Sequence, residues 1–412
     1  MTESAPAPAP VCVPASGTAI TTALIHHPYR PPAGFNAPQA GVFKASTIIF
    51  ANTAAMRARD WKEKSGYTYG LHGTPTTFAL EARIATLEGG LHTLLVPSGL
   101  ASIALANMAL LASGDEVLIP DNAYNPGKEL ARHELAAWGI THRFYDPTDA
   151  NALAAMLTPA TKLVWIEAPG SVTMEFPDVA NLVRAARSRS AVVALDNTWG
   201  AGLAFDPFRI EVDAEGAALG ADLSAHALTK YPSGGGDVLM GSVTTRDPHL
   251  HLRLNATHMR MGWGVGANDV EAVLRGLPSM ALRYAAADRA GRALAQWWAQ
   301  QPEVAQVLHP ALPGSPGHAH WQRLCTQAAG LFSIVFDARY NTRQVDAFVD
   351  ALKLFKIGFS WAGPVSLVVP YDLKAMRARP AWPGTLVRFS LGLEAVNDLI
   401  ADCAQALTVM DR

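Results

Sequence analysis

The turn Ser98-Gly99-Leu100 and the aromatic residue Tyr124 each follow a short apolar run in the first third of the chain. A small-residue turn that opens a helix leaves backbone N–H groups free, and such groups bind phosphate. An aromatic side chain in a loop after a strand, as in DNAYNPG, suits stacking on a planar ring. Taken alone, each signal also fits an ordinary turn or a half-buried tyrosine.

Asp196 and Lys230 are charged candidates further along the chain. Asp196 ends the apolar run AVVALD, where a carboxylate is costly to bury unless it has a cationic partner. Lys230 follows Thr229 and precedes a glycine cluster, and partial burial of such a lysine supplies the lowered pKa that a Schiff-base lysine needs. Taken alone, the Asp also fits a turn or helix cap, and a lone Lys is typical of a protein surface.

Together, these features indicate one cofactor. A phosphate-binding turn, a ring-stacking aromatic, an acid and a lysine, in this order, are the set that pyridoxal 5'-phosphate (PLP) requires. The acid keeps the pyridine nitrogen protonated, which makes the ring an electron sink, and the lysine forms the Schiff base. Ligands of open parallel sheets bind beyond the carboxyl ends of the strands, so we expect the site residues to follow such strands.

The alternation of short apolar runs with amphipathic segments predicts an α/β fold. Such a pattern is typical of a mostly parallel sheet with helices on both faces. The predicted strands cover residues 93–96, 117–120, 141–145, 163–167, 191–196 and 223–227, with a last strand pair at about 238–244. The predicted helices cover residues 76–88, 100–111, 127–138, 150–157 and 177–187.

After about residue 276 the pattern changes to that of a smaller α+β unit. A long helix at 279–301 precedes strands at 331–336, 367–369 and 386–390 and helices at 343–354 and 394–410. We therefore predict an N-terminal arm at 1–75, a PLP-binding domain at 76–275 and a C-terminal α+β domain at 276–412. Residues 1–17 are mostly Ala, Pro, Ser and Thr, and we expect them to be disordered.

The composition argues against several classes of protein. A formal net charge of −2 argues against a nucleic-acid or anionic-membrane binder. The sequence has no run of about 18 apolar residues, the length that a membrane-spanning helix needs. Three widely spaced cysteines fit neither a disulfide framework nor a CxxC motif, and the N-terminus does not resemble a secretory signal. We therefore expect a cytoplasmic enzyme.

Two histidine pairs have a spacing that could suggest a metal site. His249 and His251 are two residues apart, as are His318 and His320. Neither pair has a third ligand at metal spacing, so we predict no metal site and expect all four side chains in surface loops.

Longer stretches identify a family resemblance. They are YTYGLHGTPTTFALEARIATLEGG, SGDEVLIPDNAYNPG, WIEAPGSVTMEFPDV, DNTWGAG, TKYPSGGGDVLMG, VLHPALPGSPGH, FSWAGPVSL and GTLVRFSLGLE, and they run from about residue 45 to 410. They resemble the cystathionine β-lyase branch of the Cys/Met-metabolism PLP-dependent enzymes, which have the aspartate-aminotransferase-like fold, PLP-dependent transferase fold type I. The resemblance implies a homo-oligomer, at least a dimer and usually a dimer of dimers, in which the N-terminal arm reaches the neighbouring subunit.

The resemblance also implies a role for each matching residue. Lys230 is the Schiff-base lysine and proton shuttle, Asp196 pairs with the pyridine nitrogen, and Tyr124 stacks on the ring and is counted among the catalytic residues. The cofactor side further includes Ser98, Gly99, Leu100, Thr198, Thr229 and, from the neighbouring subunit, Tyr69 on the phosphate. The substrate side includes Arg388, which binds the α-carboxylate through two parallel hydrogen bonds, together with Ser360, Trp361 and Tyr67.

The implied reaction is β-elimination of a sulfur amino acid, with cystathionine giving homocysteine, pyruvate and ammonia; a related cysteine-S-conjugate β-lyase fits equally. Family members that work at the γ-carbon tend to carry a Glu where this chain has Phe359. A γ-elimination or γ-replacement enzyme, such as a methionine γ-lyase-like or acylhomoserine-using enzyme, is the alternative. A non-catalytic protein of the same fold is the remote alternative, and the presence of Lys230 and Asp196 argues against it.

One position departs from the family pattern. Many relatives read Tyr-x-Arg where this chain reads Tyr69-Gly70-Leu71, so the arginine that reaches the cofactor phosphate across the dimer is replaced by Leu71. We expect partial compensation by Tyr69, Thr229 and the N–H groups after Ser98, with His72 or His226 adding charge at low pH. The alternative is that another basic residue takes over fully and Leu71 only packs.

Overall fold

The computed structural model describes residues 18–27, 34–35, 37–62, 64, 66–377 and 382–410. The expected disorder of residues 1–17 lies outside these ranges. Within the described part of the chain, no helix combines the length and apolarity that crossing a membrane requires.

The strands form two main sheets and a short hairpin. In chain order the strands are β1 His92–Val96, β2 Glu116–Pro120, β3 Thr141–Tyr145, β4 Thr161–Glu167, β5 Val192–Asp196, β6 Glu211–Val212, β7 Ala218–Leu219, β8 Leu223–His226, β9 Gly241–Thr245, β10 Val304–Leu308, β11 Leu331–Phe336, β12 Lys356–Ile357, β13 Leu367–Tyr371 and β14 Leu386–Ser390.

The helices surround these sheets. In chain order they are α1 Ile20–Ile25, α2 Thr53–Arg57, α3 Pro75–Glu88, α4 Gly99–Leu110, α5 Asn125–Leu130, α6 Ala150–Met156, α7 Val179–Arg187, α8 Pro248–Met261, α9 Ala267–Trp298, α10 His318–Leu324, α11 Thr342–Ala351, α12 Leu373–Met376 and α13 Val396–Leu407. A 3₁₀ turn covers Gly70–His72, and a π-helical turn, Ala131–Leu135, continues α5.

The larger sheet has seven strands in the order β1-β9-β8-β5-β4-β2-β3. Every neighbouring pair is parallel except those of β9, which runs antiparallel to both β1 and β8. The prediction of a mostly parallel sheet is thus confirmed. The smaller sheet has the order β10-β11-β14-β13-β12 and is antiparallel apart from the pair β12 and β13.

Helices cover both faces of the larger sheet because its strands are apolar on both sides. Alternate strand residues such as Val117 and Ile119 pack with α4 and α8 in one core. Residues on the opposite face of the sheet, such as Val164 and Ile166 in β4, pack with α3 and α9 in a second core. Helix α9 also reaches the smaller sheet, where Trp298 is fully buried among aromatic side chains.

Helix α9 corrects one predicted boundary. The sequence predicts a helix start at Ser279, yet the helix begins at Ala267, and Pro278, which removes a backbone donor, lies inside it. The helix continues because Val273, Leu277 and Met280 are fully buried, and tertiary packing outweighs the local cost of the proline. It runs without a break across the predicted domain boundary at 275/276, and the three-part division of the chain stays a prediction.

Two further predictions about local structure are wrong. Instead of a strand pair at 238–244, one strand, β9, begins at Gly241, because the Thr229 hydroxyl bonds both backbone groups of Met240 and holds that residue beside the lysine loop. The paired histidines are not in loops. His249 and His251 lie in α8, where His251 is buried and stacks on His92, and His318 and His320 lie in α10.

Candidate active site

Lys230 lies in the turn after β8, where the two sheets meet. Its Nζ donates a hydrogen bond to Ser360 Oγ at 2.6 Å and lies 5.4 Å from the ring centroid of Trp361. Burial lowers the pKa of Lys230 to about 8, and the charge of Arg388 acts in the same direction, whereas Asp196 opposes it. The amine therefore loses its proton close to neutral pH, as a nucleophilic lysine requires.

Asp196 ends β5, beside the strand that leads to Lys230. Its Oδ1 accepts the backbone N–H of Thr198 at 3.0 Å, and Thr198 Oγ1 in turn accepts the N–H of Ala227 at 3.0 Å. These bonds fix the loop after β5 to the segment before Lys230. Burial raises the pKa of Asp196, while Thr198, His226 and Lys230 favour its ionised form.

Glu167 is a second acid that the sequence reasoning missed. It ends β4 and pairs directly with Asp196 on β5. Burial, together with the neighbouring Asp196, raises the pKa of Glu167 to about 8. Its carboxyl group accepts hydrogen bonds from the N–H of Tyr124 at 2.7 Å and the hydroxyl of Ser171 at 2.6 Å. The available signal in the sequence was its place at the end of a predicted apolar strand, 163–167, like that of Asp196 at the end of 191–196.

Tyr124 stands at the mouth of a small cleft and is 43% exposed. It lies at the start of α5, and its N–H bond to Glu167 sets the backbone of this loop. The cleft is lined by side chains from β2, β4, β5 and α4, including Tyr124, Asp196, Glu167, Trp165, Ile103 and Asn107. The tyrosine ring and the carboxylate of Asp196 thus border the same space.

The turn before α4 has the geometry of a phosphate-binding helix start. Ser98 caps α4, with its Oγ accepting the N–H of Ala101 at 3.0 Å. The N–H groups of Gly99 and Leu100 stand in the first turn, where a helix leaves donors without partners inside the helix. A Cβ at Gly99 would lie 2.6 Å from Ala227 Cβ, so only glycine lets this turn approach the lysine loop so closely.

Arg388 projects from the middle of β14, opposite Val369 and Ser333. The side chain is 7% exposed, its Nη2 donates to the carbonyl of Ser360 at 3.1 Å, and burial lowers its pKa. Ser360 has a φ of 80°, a left-handed conformation that is strained for a residue with a Cβ. In this conformation Ser360 offers its carbonyl to Arg388 and its hydroxyl to Lys230.

Tyr67, Tyr69 and Leu71 lie apart from this group. Tyr67 stacks on Phe78 with ring centroids 5.6 Å apart, and Tyr69, 46% exposed, contacts His72 edge-on at 5.7 Å. Among the described residues, neither tyrosine has a hydrogen bond or ring contact with Lys230 or its neighbours. Their predicted roles at a cofactor or substrate stay predictions.

The functional groups in and beside the cleft fit PLP. A half-buried carboxylate, a tyrosine ring at the cleft, a helix start with free N–H groups and an amine of lowered pKa match the four parts of that cofactor. In the described ranges, no group of three or more His, Cys, Asp or Glu side chains is placed to hold a metal ion.

Comparison with known proteins decides the family. The family described as "Cys/Met metabolism PLP-dependent enzyme" matches residues 21–408. The chain belongs to this family. It is 38% identical to the cystathionine β-lyase of Bordetella avium over 387 residues, which cover 92% of this chain and 94% of that protein. It is 36% identical to the Escherichia coli K12 cystathionine β-lyase MetC, over 87% of this chain and 90% of that protein.

A solved structure supports the same conclusion. The crystal structure of metB from Corynebacterium glutamicum superposes with a TM-score of 0.84 and 26% sequence identity, covering 95% of this chain and 98% of that one. The predictions of fold type I, of PLP as cofactor and of a PLP-dependent carbon–sulfur lyase are confirmed.

Proposed function

We propose that this enzyme cleaves the Cβ–S bond of cystathionine and releases homocysteine, pyruvate and ammonia. The observation that carries the proposal is the Lys230 amine, whose pKa is lowered to about 8 and which the Ser360 hydroxyl holds beside Arg388. The curated relatives at 36–38% identity that carry the name cystathionine β-lyase support this choice of substrate.

PLP, when bound, supplies an electron sink for the pair that the Cα–H bond leaves behind. On the cofactor side, Asp196 would hold the pyridine nitrogen, Tyr124 would stack on the ring, and Thr198 and Thr229 would border it. Ser98 and the N–H groups of Gly99 and Leu100 would bind the phosphate.

On the substrate side, Arg388 binds the α-carboxylate and so fixes which bond at Cα faces Lys230. The Nζ of Lys230 accepts the Cα proton, because a pKa near 8 leaves about a tenth of such an amine unprotonated at pH 7 and about half at pH 8, far more than for an ordinary lysine. Ser360 and Trp361 hold this amine in place, the first by a hydrogen bond and the second by its ring face.

The proposal is tested by offering cystathionine, cystine, methionine and O-succinylhomoserine separately and measuring the release of oxo acid from each. We expect kcat/KM to be highest with cystathionine. Lys230→Ala should reduce the rate at least about 100-fold, since general acid–base catalysis alone contributes about 100- to 10,000-fold. Methionine or O-succinylhomoserine as the best substrate would favour the γ-chemistry alternatives and overturn the proposal.

We further propose that the enzyme is a homo-oligomer: at least a dimer, and a dimer of dimers if it forms a tetramer. In this assembly Tyr69 contacts the phosphate of the neighbouring subunit's cofactor. Exposed apolar side chains in the arm support it, among them Ile49 at 91%, Val42 and Phe43 at 43% and Met56 at 38%. Light scattering of the holoenzyme should give a mass at least twice that of the 43.8 kDa chain. A monomeric mass would overturn this proposal.

We also propose a cytoplasmic location, for which the free thiols of Cys325 and Cys403 are the support. The partners expected for such an enzyme are its amino-acid substrate and further copies of the same chain.

A further inference from the structure

Residues 371–377, here called the crossing segment, connect the smaller sheet to the larger one beside the candidate active site. The segment begins with Tyr371 at the end of β13, continues through α12 and ends at Arg377. Arg377 reaches Asp121 and Glu175, both of which belong to the part of the chain that builds the larger sheet.

The Arg377 end of the segment is firmly anchored. Its guanidinium donates to both carboxylate oxygens of Asp121 at 2.9 and 3.1 Å and to Glu175 Oε1 at 2.7 Å. The side chains of Arg377 and Glu175 are 8% and 7% exposed. Lys128 Nζ adds a bond to the carbonyl of Met376 at 2.9 Å. A buried ion pair of this kind fixes geometry more than it adds stability.

The anchor lies on the loop that carries Tyr124. Asp121 directly follows β2, and Tyr124 stands three residues later. Asn122, between them, donates to Glu175 Oε2 at 2.7 Å, so the same cluster holds this loop. The crossing segment therefore links one wall of the cleft to the smaller sheet.

The Tyr371 end of the segment packs on Arg388. In the pairing of β13 with β14, Val369 lies opposite Arg388, so Tyr371, two residues further on, projects from the same face of the sheet. The guanidinium carbon of Arg388 lies 5.4 Å from the ring centroid of Tyr371. Burial raises the pKa of Tyr371 and the charge of Arg388 opposes that rise, whereas the pKa of Tyr124 is raised by burial with a smaller contribution from Tyr371.

Arg388 has few other groups to orient it. Its Nη2 bonds the carbonyl of Ser360, whereas its buried Nε has no hydrogen-bond partner among the described residues. One hydrogen bond leaves rotation of the guanidinium about that bond free, and a ring face packed against a guanidinium restricts it.

We propose that Tyr371 is a positioning residue, whose ring orients Arg388 to bind the α-carboxylate of the amino-acid substrate and is itself held by the Arg377 anchor. The inference rests on the proposed function for the identity of that carboxylate. The tyrosine hydroxyl has no part in it.

The test compares Tyr371→Leu, which removes the ring, with Tyr371→Phe, which keeps it, in the full-length holoenzyme. The measurements are kcat and KM with cystathionine and the dissociation constant of glycine, read from the change that glycine causes in the cofactor's absorption band. Glycine has the amino and carboxylate groups of a substrate but no bond that β-elimination can break. Tyr340→Leu is the matched control, because Tyr340 packs on Arg339 at 5.0 Å in the turn after β11.

We expect Tyr371→Leu to raise both KM and the glycine dissociation constant by about 3- to 30-fold, with kcat changed by less than about twofold. Tyr371→Phe and Tyr340→Leu should stay within about twofold of the unaltered enzyme. An equal loss in Tyr371→Phe and Tyr371→Leu would assign the effect to the hydroxyl and overturn the proposal, as would unchanged glycine binding in Tyr371→Leu.

A double-mutant cycle separates an action through Arg388 from a direct contact. In an Arg388→Ala background, Tyr371→Leu should cause no further loss of glycine binding. A further loss of the same size would mean that the ring binds the ligand itself, which contradicts a positioning role.

The anchor is tested by Arg377→Gln, with Arg143→Gln as control because Arg143 makes a two-bond ion pair with Glu116 elsewhere in the larger sheet. We expect weaker glycine binding only in Arg377→Gln, and unchanged binding there would overturn the anchoring role.

Should cystathionine yield no pyruvate in the unaltered enzyme, the proposed reaction fails, whereas the glycine measurements still decide the role of Tyr371.

Discussion

At the scale of single residues, Lys230 is held in an environment that disfavours its charge. Burial lowers its pKa from the ordinary value of 10.5 to about 8. Between these values the unfolded chain binds more protons than the folded one, so the contribution of Lys230 to stability rises with pH from about 8 to 10.5. Below about pH 8 the full cost of burying the ammonium is present.

Lys230→Met should therefore stabilise the cofactor-free protein at pH 7, by at most about 3 kcal/mol, because the buried charge disappears. The loss of the bond to Ser360 reduces this gain. Denaturant unfolding at pH 7 and pH 9.5 measures it, with Lys162→Met, an exposed lysine, as control. A gain that is absent at pH 7, or that does not shrink toward pH 9.5, would contradict the assigned environment.

The sequence could point to Asp196 and Lys230 because they follow a phosphate-binding turn and an aromatic residue in the order that PLP requires. It could not reveal the coupling of Asp196 to Glu167, since that depends on β4 and β5 being neighbours in register. The contact between Tyr371 and Arg388 likewise follows from the pairing of β13 with β14. Such relations between residues distant in the chain become visible only when the fold places them.

At the scale of elements, the approach of α4 to the lysine loop depends on Gly99. A Cβ there would lie 2.6 Å from Ala227 Cβ, well inside van der Waals contact, so Gly99→Ala must push the helix start away from the loop. We expect a loss of about 1–3 kcal/mol in stability and faster cofactor loss during dialysis.

Gly266→Ala is the matched control for this prediction. Gly266 likewise stands at the start of a helix, as the N-cap of α9, but the nearest atom to an added Cβ is Asp269 Oδ2 at 3.5 Å, an ordinary contact. Cofactor retention and melting temperature should be nearly unchanged there. Equal behaviour of the two variants would mean that the close approach at Gly99 has no role in holding the cofactor.

Elements were predictable where apolar periodicity was clear and were missed where it was not. Helix α8 has a helix-start signal in Asp247-Pro248, and the Asp247 side chain does cap it, but its buried face includes His251, Asn255 and His258. These polar residues hide the apolar pattern on which the prediction depended. In α9 the helix was predicted but its start was not, because the burial of Val273, Leu277 and Met280 stabilises a helix that continues through Pro278.

At the scale of the whole molecule, the site exists only where the two sheets meet. Lys230 and Asp196 come from the larger sheet, whereas Ser360 and Arg388 come from the smaller part of the chain, 130 residues beyond the lysine in the case of Ser360. Relative placement of the two sheets therefore sets the distance between the proton-accepting amine and the carboxylate-binding arginine.

Leu71 belongs to this scale because it replaces the arginine that, in many relatives, is expected to reach the cofactor phosphate of the neighbouring subunit. Two of its proposed substitutes are already engaged: the Thr229 hydroxyl bonds Met240, and His226 is fully buried beside Glu88. Leu71→Arg should therefore slow cofactor loss during dialysis by about tenfold or more, the effect of a charge-assisted hydrogen bond. Leu354→Arg, on the exposed surface, is the control, and equal rates in all forms would mean that compensation is already complete.

The most direct test of the account is the identity of the oxo acid that the holoenzyme forms from cystathionine alone. This substrate has carbon–sulfur bonds at both a β- and a γ-carbon, so one measurement separates the two chemistries. β-Elimination predicts pyruvate in equal amount to homocysteine and ammonia, with loss of the product in Lys230→Ala. Formation of 2-oxobutyrate with cysteine instead would contradict the central claim.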